Sequence, residues 1–220
     1  MKISVEANII MKDLVIVGAS GFAKEIAWII DRINKIQPTW NFKGFISNDV
    51  TESKEICGND HFLQKYSKEL YVVIAIATPE IRKRLFQVYK KNPCLYFPNI
   101  IDPTAQVSKY VKMGKGNIIC AGTILTVNIE IGDFNILNLN CTVGHEVTMH
   151  DYITVNPNSN ISGNVTIQSQ VNIGTGTQII QGITIQKEAQ IGAGAVVIKD
   201  IESSCTAVGV PAKVIKRGII

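Results

Sequence analysis

Aliphatic side chains recur at every sixth position through the second half of this chain. The series runs without interruption from Ile101 to Val197. A period of six fits neither the 3.6 residues of an α-helical turn nor the two-residue alternation of a half-buried strand. It predicts short strands joined by tight corners, with each strand burying one side chain in a common core. These anchor residues are Ile101, Val107, Met113, Ile119, Leu125, Ile131, Leu137, Val143, Met149, Val155, Ile161, Ile167, Ile173, Ile179, Ile185, Ile191 and Val197.

The fourth residue after each anchor residue is uncharged throughout, and many of these residues are small. Examples are Ala105, Thr123, Ser159 and Ala189. The pattern therefore predicts a parallel β-helix of hexapeptide repeats over residues 101–220.

Residues 1–100 show a different pattern. The apolar run Leu14–Val17 predicts a buried strand, Gly18-Ala-Ser-Gly21 predicts a tight turn, and helical spacing of apolar residues predicts a helix from Phe22 to about Ile36. Further strands are predicted over 41–46 and 71–77. Strand, glycine turn and helix open a nucleotide-binding βαβ unit, so we expect an α/β, Rossmann-like domain. The first residues, before Met11, are interpreted as an extension ahead of this domain.

Ligands of such sheets bind where the parallel strands end. The candidate rim residues are Ser20, Gly21, Phe22, Ser47, Asn48, Ala77 and Thr78. Thr78 and Pro79 are expected to cap and begin the next helix. We interpret Arg82 and the basic residues after it as a solvated helix face, and residues 92–103 as an irregular junction between the two domains.

Composition excludes several classes of protein. The formal net charge is only +4 and is not clustered, so no nucleic-acid surface is expected. The five cysteines have no metal-ligand spacing and indicate free thiols in a reducing cytoplasm. No apolar run approaches the ~18 residues of a membrane span, and the N-terminal segment is a poor signal peptide. A cytoplasmic protein without membrane insertion is expected.

One histidine is a candidate catalytic residue. His145 lies two positions after the anchor Val143, so it should point outward near a corner, and Glu146 follows it. A carboxylate beside an outward imidazole can orient the ring and stabilise its protonated form, which suits a general base. The alternative interpretation is a solvated surface histidine. His61 and His150 are assigned no role.

Glycine directly follows five of the anchor residues. Corner dihedral angles explain most of these glycines, and Gly192 belongs to a small-residue stretch, 191–195, that could form a smooth groove with open backbone N–H groups. The five glycines are Gly114, Gly132, Gly144, Gly174 and Gly192.

Three motifs, together with the repeat, resemble one family over nearly the whole chain. They are Gly18-Ala-Ser-Gly21, Gly144-His-Glu146 and Val208-Gly-Val-Pro-Ala-Lys213. The combination resembles hexapeptide-repeat acetyltransferases of the sialic acid O-acetyltransferase and nucleotide-amino-sugar N-acetyltransferase group. The resemblance implies that the β-helix is left-handed, against the usual right-handed crossover.

The resemblance also implies a homotrimer in which acetyl-CoA lies between neighbouring solenoids, and the sugar or nucleotide-sugar acceptor reaches in from the N-terminal domain. It implies that His145 is the catalytic base and Glu146 its partner. Expected acetyl-CoA contacts are Thr154, Gly174, Thr175, Gly192 and Ala193. Expected acceptor contacts are Ser20, Gly21, Phe22, Ser47, Asn48 and Ala77.

The chain departs from the family pattern at four places. Phe22 stands where the family often has histidine, Ser47-Asn48-Asp49 where it often has paired aspartates, and Ala77 where glycine is common. Thr154 stands where some relatives carry a second histidine that contacts the acetyl donor. The first three departures concern the acceptor, and the last concerns one donor contact.

We therefore expect acetyl-CoA-dependent N-acetylation of a nucleotide-linked 4-amino-4,6-dideoxy sugar for surface glycan synthesis, without a metal. O-acetylation of a sialic acid-type sugar is the main alternative. A zinc-dependent carbonic anhydrase of the same fold would need three converging histidines. A non-catalytic assembly strut would need no His-Glu pair. Serine and simple-sugar acetyltransferases usually have helical N-terminal parts.

Overall fold

The computed structural model describes residues 10–48 and 55–218. Its N-terminal part is a parallel sheet in the order β3-β2-β1-β4-β5. The strands are β1 (Lys12–Val17), β2 (Trp40–Ile46), β3 (Ile56–Gly58), β4 (Leu70–Ile74) and β5 (Leu95–Tyr96), and the helices are α1 (Gly21–Ile36), α2 (Asp60–Lys65) and α3 (Pro79–Tyr89). Residues 1–9 of the predicted N-terminal extension, and Asp49, lie outside the described residues.

The third predicted strand is too long by three residues. It ends at Ile74 instead of Ala77, and Ala77 is exposed. The carbonyl oxygens of Ile76 and Ala77 accept hydrogen bonds from the Arg82 side chain, so these residues do not continue the ladder. Pro79 begins α3 as expected, but the hydroxyl of the N-cap residue Thr78 makes no capping hydrogen bond.

Two-residue strands follow one another through the second part, and every anchor residue is the second residue of a strand. The strands are β6 (Ile100–Ile101), β7 (Gln106–Val107), β8 (Lys112–Met113), β9 (Ile118–Ile119), β10 (Ile124–Leu125), β11 (Glu130–Ile131), β12 (Ile136–Leu137), β13 (Thr142–Val143), β14 (Thr148–Met149), β15 (Thr154–Val155), β16 (Asn160–Ile161), β17 (Thr166–Ile167), β18 (Asn172–Ile173), β19 (Gln178–Ile179), β20 (Thr184–Ile185), β21 (Gln190–Ile191) and β22 (Val196–Val197). An antiparallel pair, β23 (Cys205–Val208) and β24 (Lys213–Arg217), follows them. This is the parallel β-helix expected from the repeat, with the left-handed coil that the resemblance implied.

Three strands make one coil of 18 residues, and the coils stack into three parallel sheets, or faces. The first face contains β6 and every third strand after it, the second face contains the series from β7, and the third face contains the series from β8. Residues 18 apart therefore lie directly above one another. The anchor side chains fill the space between the faces and form one continuous apolar core.

The corner glycines have a different role from the predicted one. Positive φ occurs three positions after the anchor residue, for example at Asn128 (φ 56°) and Glu146 (φ 60°), whereas the glycines directly after the anchors do not have it. Those glycines allow successive coils to approach. A Cβ on Gly144 would lie 2.7 Å from the backbone nitrogen of Gly163, and one on Gly174 would lie 2.5 Å from that of Ala193.

The N-terminal domain packs against the first face and against the corner that leads into it. Ile100, Ile118 and Ile136 on the outside of that face join the cluster that contains the buried side of α1. At the corner, the rings of Phe86 on α3 and Phe134 are 4.2 Å apart. The segment predicted as an irregular junction is ordered, because it contains β5 and β6. Across residues 10–48 and 55–218, no helix combines the length and apolar character of a bilayer span.

Truncating an anchor side chain is expected to weaken the solenoid. Leu137 is fully buried, so Leu137→Ala should destabilise the fold by about 2–5 kcal/mol through lost burial and a residual cavity. Thermal unfolding followed by circular dichroism measures the loss. Ile36→Ala is the matched control, because this side chain is 73% exposed and its truncation should leave the midpoint nearly unchanged. Equal midpoints for both variants would contradict the anchor role.

Candidate functional site

His145 lies on an outer edge of the β-helix. Strand β13 ends at the buried Val143, Gly144 begins the corner, and the His145 side chain, 52% exposed, projects from it. Its Nδ1 atom lies 3.2 Å from Oε2 of Glu146. A carboxylate at Nδ1 favours the tautomer with the proton on that nitrogen and leaves the lone pair on Nε2. The arrangement presents Nε2 as a proton acceptor, which a general base requires.

Gly163, one coil above His145, lies directly against the imidazole. A Cβ atom built on Gly163 would be 2.5 Å from both Cε1 and Nε2 of the ring. The carbonyl oxygen of His145 accepts a hydrogen bond from the N–H of Asn164 at 2.8 Å, which ties the two coils together at this corner. The absence of a side chain at residue 163 therefore determines where the ring can lie.

The edge that carries His145 also exposes apolar side chains. Val127, one coil below, is 40% exposed, and Ile180 and Ile198 in the coils above are 43% and 42% exposed. We call this strip, with His145 and Gly163, the His145 edge. Within the described residues nothing covers it, so one chain supplies only one wall of a site here.

The predicted donor residues lie on a different edge. Thr175 follows β18 and Ala193 follows β21, and both strands belong to the first face, whereas His145 follows a strand of the second face. Thr175 and Ala193 are 18 residues apart and are therefore stacked. We call this corner, with Gly174 and Gly192, the Thr175 edge. A single chain does not bring the Thr175 edge and the His145 edge together.

The backbone of the Thr175 edge is less open than the sequence indicated. The N–H groups of Gly192 and Gly194 donate to the carbonyl oxygens of Ala207 (2.9 Å) and Thr175 (2.8 Å), and that of Ala195 donates to Gly192. Within the described part of the chain, the N–H groups of Thr175 and Ala193 have no acceptor. The expected series of free N–H groups is thus reduced to two, those of Thr175 and Ala193, which lie one coil apart.

The predicted acceptor residues lie side by side at the carboxyl edge of the N-terminal sheet. Ser20 and Gly21 follow β1, Ser47 follows β2 and Ala77 follows β4, and these three strands are neighbours. Asn48 is already engaged, because its side-chain nitrogen donates to Oδ2 of Asp60 at 2.8 Å. The segment between β4 and α3, residues 75–78, is called the Ala77 loop. A cleft separates this loop from the first face of the β-helix. It is lined by Ala77, Thr78, Pro79, Glu80, Asn156, Asn172 and Gln190.

Comparison with known proteins gives one family match within the chain. Residues 13–89 match the family model described as the PglD N-terminal domain. No curated protein sequence matches the chain.

Solved structures match almost the whole chain. WeeI from Acinetobacter baumannii AYE is 29% identical with a TM-score of 0.83, covering 93% of this chain and 100% of that one. A histidine-to-asparagine mutant of perosamine N-acetyltransferase from Caulobacter crescentus, in complex with CoA and GDP-perosamine, is 26% identical with a TM-score of 0.85, covering 96% and 100%. The acetyltransferase domain of PglB from Neisseria gonorrhoeae FA1090, in complex with acetyl coenzyme A, is 25% identical with a TM-score of 0.87, covering 93% and 100%.

Along nearly its whole length the chain is similar to hexapeptide-repeat sugar acetyltransferases, and it is an acetyl-CoA-dependent acyltransferase. The family resemblance, the two-part fold, the enzyme class and acetyl-CoA as donor are confirmed.

Thr154 of this acetyltransferase does not lie where a ligand could contact its side chain. It is on the first face, below the Thr175 edge, and is 1% exposed. Its hydroxyl donates to the carbonyl oxygen of Ala77 at 2.6 Å and accepts from Nη2 of Arg82 at 3.0 Å. The expected acetyl-CoA contact is thus replaced by a contact between the two domains.

Arg82 is the residue of this acetyltransferase that the sequence interpretation missed. It is 1% exposed instead of solvated. A signal was present, since Pro79, Arg82, Phe86 and Tyr89 repeat with helical spacing and are all buried. Arg82 lies on the apolar side of α3, whereas a run of basic residues suggested the solvent side.

Two buried thiols of the acetyltransferase, those of Cys120 and Cys141, are poor nucleophiles. Burial raises the pKa of Cys120 to about 12 and the pKa of Cys141 to about 11, so both stay protonated at neutral pH. In residues 10–48 and 55–218 there is no group of three or more His, Cys, Asp or Glu side chains that could hold a metal ion.

Proposed function

We propose that this enzyme transfers the acetyl group of acetyl-CoA to the amino group of a nucleotide-linked 4-amino-4,6-dideoxy sugar, as a step in surface glycan synthesis, with His145 as the general base. The observation that carries the proposal is the outward imidazole on a rigid corner, with Nδ1 against Glu146 at 3.2 Å and Nε2 free to accept a proton. The similar perosamine N-acetyltransferase, solved with CoA and GDP-perosamine, supports the substrate class.

The two domains divide the substrates between them in this proposal. Residues 1–100 bind the acceptor through Ser20, Gly21, Phe22, Ser47, Asn48 and Ala77. Residues 101–220 bind acetyl-CoA through Gly174, Thr175, Gly192 and Ala193 and carry the base. The free N–H groups of Thr175 and Ala193, one coil apart, can donate to carbonyl oxygens of an extended donor arm.

A homotrimer completes the site. The His145 edge and the Thr175 edge belong to different corners of one solenoid, so they can face each other only when they come from two chains. The exposed apolar side chains on the His145 edge favour burial against such a partner. Use of acetyl-CoA and a nucleotide sugar, both cytosolic metabolites, supports a cytoplasmic location.

The reaction is direct transfer. Nε2 of His145 removes a proton from the acceptor amine as its nitrogen forms a bond to the thioester carbonyl carbon. A backbone N–H at a solenoid corner stabilises the oxyanion, a contact worth about 3–4 kcal/mol where measured. The C–S bond then breaks, the electron pair leaves with sulfur, and the proton held by His145 converts the CoA thiolate to the thiol. The raised pKa values of the buried cysteines favour this route over an acyl-enzyme.

The carbonic anhydrase alternative has little support. His145 and His150 are five residues apart but follow strands of different faces, and therefore lie on different corners. A zinc site would have to collect its ligands from elsewhere.

The test is CoA thiol release from acetyl-CoA with a panel of acceptors, with mass spectrometry of the product. The panel contains GDP-, UDP- and dTDP-linked 4-amino-4,6-dideoxy sugars, sialic acids, serine and unmodified hexoses. Turnover of an amino sugar, with one acetyl group on nitrogen, is expected. Turnover of sialic acid alone would replace the proposal with O-acetylation, and acetyl-CoA binding without turnover of any acceptor would refute it.

A further inference from the structure

Arg82 links the Ala77 loop to the β-helix. Its side chain leaves α3 and ends between the segment after β4 and the two successive coils that carry Phe134 and Thr154. Nη1 donates to the carbonyl oxygens of Ile76 (2.6 Å) and Ala77 (3.0 Å). On the other side, Nε donates to the carbonyl oxygen of Phe134 at 2.8 Å, and Nη2 donates to that of Ile153 at 3.1 Å and to Oγ1 of Thr154 at 3.0 Å.

These contacts use all five guanidinium donors, and none of the acceptors is a carboxylate. Burial lowers the pKa of Arg82 to about 9, so a buried cation is held by neutral oxygens alone. Such an arrangement is costly unless every donor is satisfied. A simple domain contact could be made by apolar side chains, as the Phe86–Phe134 pair does in the same seam. The planar guanidinium group of Arg82 therefore orients the groups that it binds, in addition to holding the domains together.

The geometry of the peptide unit indicates what that role is. In a trans peptide the C=O and N–H groups point in opposite directions. Because Arg82 holds the carbonyls of Ile76 and Ala77 inward, the N–H groups of Ala77 and Thr78 point away from it. The hydroxyl of Thr154 adds a second bond to the Ala77 carbonyl, at 2.6 Å. The loop thus has one orientation relative to the cleft that Ala77, Thr78, Asn156 and Asn172 line.

We propose that Arg82 is a positioning residue for the acceptor. It fixes the Ala77 loop on the β-helix, and it thereby sets the distance and orientation at which the bound sugar meets the His145 edge of a neighbouring chain. The proposal rests on the proposed function, since it requires an acceptor at the Ala77 loop. In this proposal Thr154 helps Arg82 to hold the Ala77 loop. Both residues therefore affect kcat/KM for the acceptor, and neither contacts acetyl-CoA.

The kinetic test compares Arg82→Lys and Thr154→Val with Lys83→Met. Lysine keeps the charge but supplies three donors without the planar fork, and valine keeps the shape of threonine without its hydroxyl. Lys83 is the control, because it links the same helix to the β-helix through Oε1 of Gln170 at 2.5 Å but does not contact the loop. Arg82→Lys should lower kcat/KM for the acceptor about 10-fold to 100-fold, with a smaller loss in the same direction for Thr154→Val. The KM for acetyl-CoA should change less than about twofold in all three variants.

Hydrogen–deuterium exchange of residues 75–82 gives a readout that does not depend on turnover. The amides of residues 75 and 82 lie at the two ends of the loop and donate to the carbonyl oxygens of Val17 (2.9 Å) and Thr78 (3.0 Å). Both should exchange faster in Arg82→Lys than in the wild type, and at the wild-type rate in Lys83→Met. Unchanged exchange in Arg82→Lys would overturn the loop-holding role. Faster exchange with unchanged acceptor kinetics would overturn the positioning role. Equal rises in the KM for the acceptor and in the KM for acetyl-CoA would also overturn it. If the wild type acetylates no acceptor, the proposed function fails, and the exchange result still decides whether Arg82 holds the loop.

Discussion

Replacing His145 with asparagine is expected to lower kcat by about 10²–10⁴-fold, the usual contribution of a positioned general base. The KM for acetyl-CoA should change little, because the Thr175 edge is on another corner. The side chain is 52% exposed, so the thermal midpoint should be that of the wild type. Steady-state kinetics with the best acceptor of the panel, and a melting curve, measure both.

His150→Asn is the control for this substitution, since that histidine lies on a different corner and should tolerate the change. Glu146→Gln tests the contribution of Glu146 to orienting the His145 ring, separately from the proton transfer by His145 itself. Glutamine can adopt the left-handed conformation needed here, as Gln170 does at φ 64°, but it removes the charge beside Nδ1. A loss of about 10-fold, smaller than that of His145→Asn, is expected. Full turnover by His145→Asn would eliminate the mechanism.

The second large effect is expected from Gly163→Ala. The new methyl group would lie 2.5 Å from Cε1 and Nε2 of His145, so the exposed ring must move while the buried backbone stays. A displacement of about 1 Å can cost about 100-fold in kcat. Stability should be unchanged or slightly higher, because φ at Gly163 is not positive and alanine reduces the entropy of the unfolded chain.

Two further variants make this prediction specific. Ser162→Ala changes the exposed neighbour in the same coil and should keep wild-type kcat. The double variant His145→Asn/Gly163→Ala should be no slower than His145→Asn alone, because the glycine is inferred to act only through the ring. Additive losses would show that Gly163 contributes in some other way, and wild-type kcat for Gly163→Ala would show that it does not position the ring.

The architecture was predictable because one period governs most of the chain. A strict repeat of six fixes which side chain is inward in every strand, and each anchor residue from Ile101 to Val197 ends a strand as expected. The separation of the two edges was also implicit in the numbering. His145 and Thr175 are thirty residues apart, which is not a whole number of 18-residue coils, whereas Thr175 and Ala193 are separated by one coil.

The seam between the domains could not be predicted in the same way. The positive charge of Arg82 favours solvent in any one-dimensional interpretation, and only the three-dimensional structure shows five backbone and hydroxyl oxygens converging on it. The Thr154 contact to Ala77 joins residues 77 positions apart, so it carries no local signal. The sequence alone does not distinguish the two roles of a glycine after an anchor residue, because positive φ and close approach of coils both select glycine.

The three-strand coil also constrains how the gene for this protein can lengthen or shorten. Inserting 18 residues between His145 and Thr175 would raise the donor position by one coil, about 4.8 Å, and keep it on its edge. Inserting six residues would move Thr175, and every residue after it, to the next corner. The donor position would then no longer face the neighbouring chain. Functional relatives should therefore differ in this region by whole coils or by outward loops at a corner, and not by single hexapeptides.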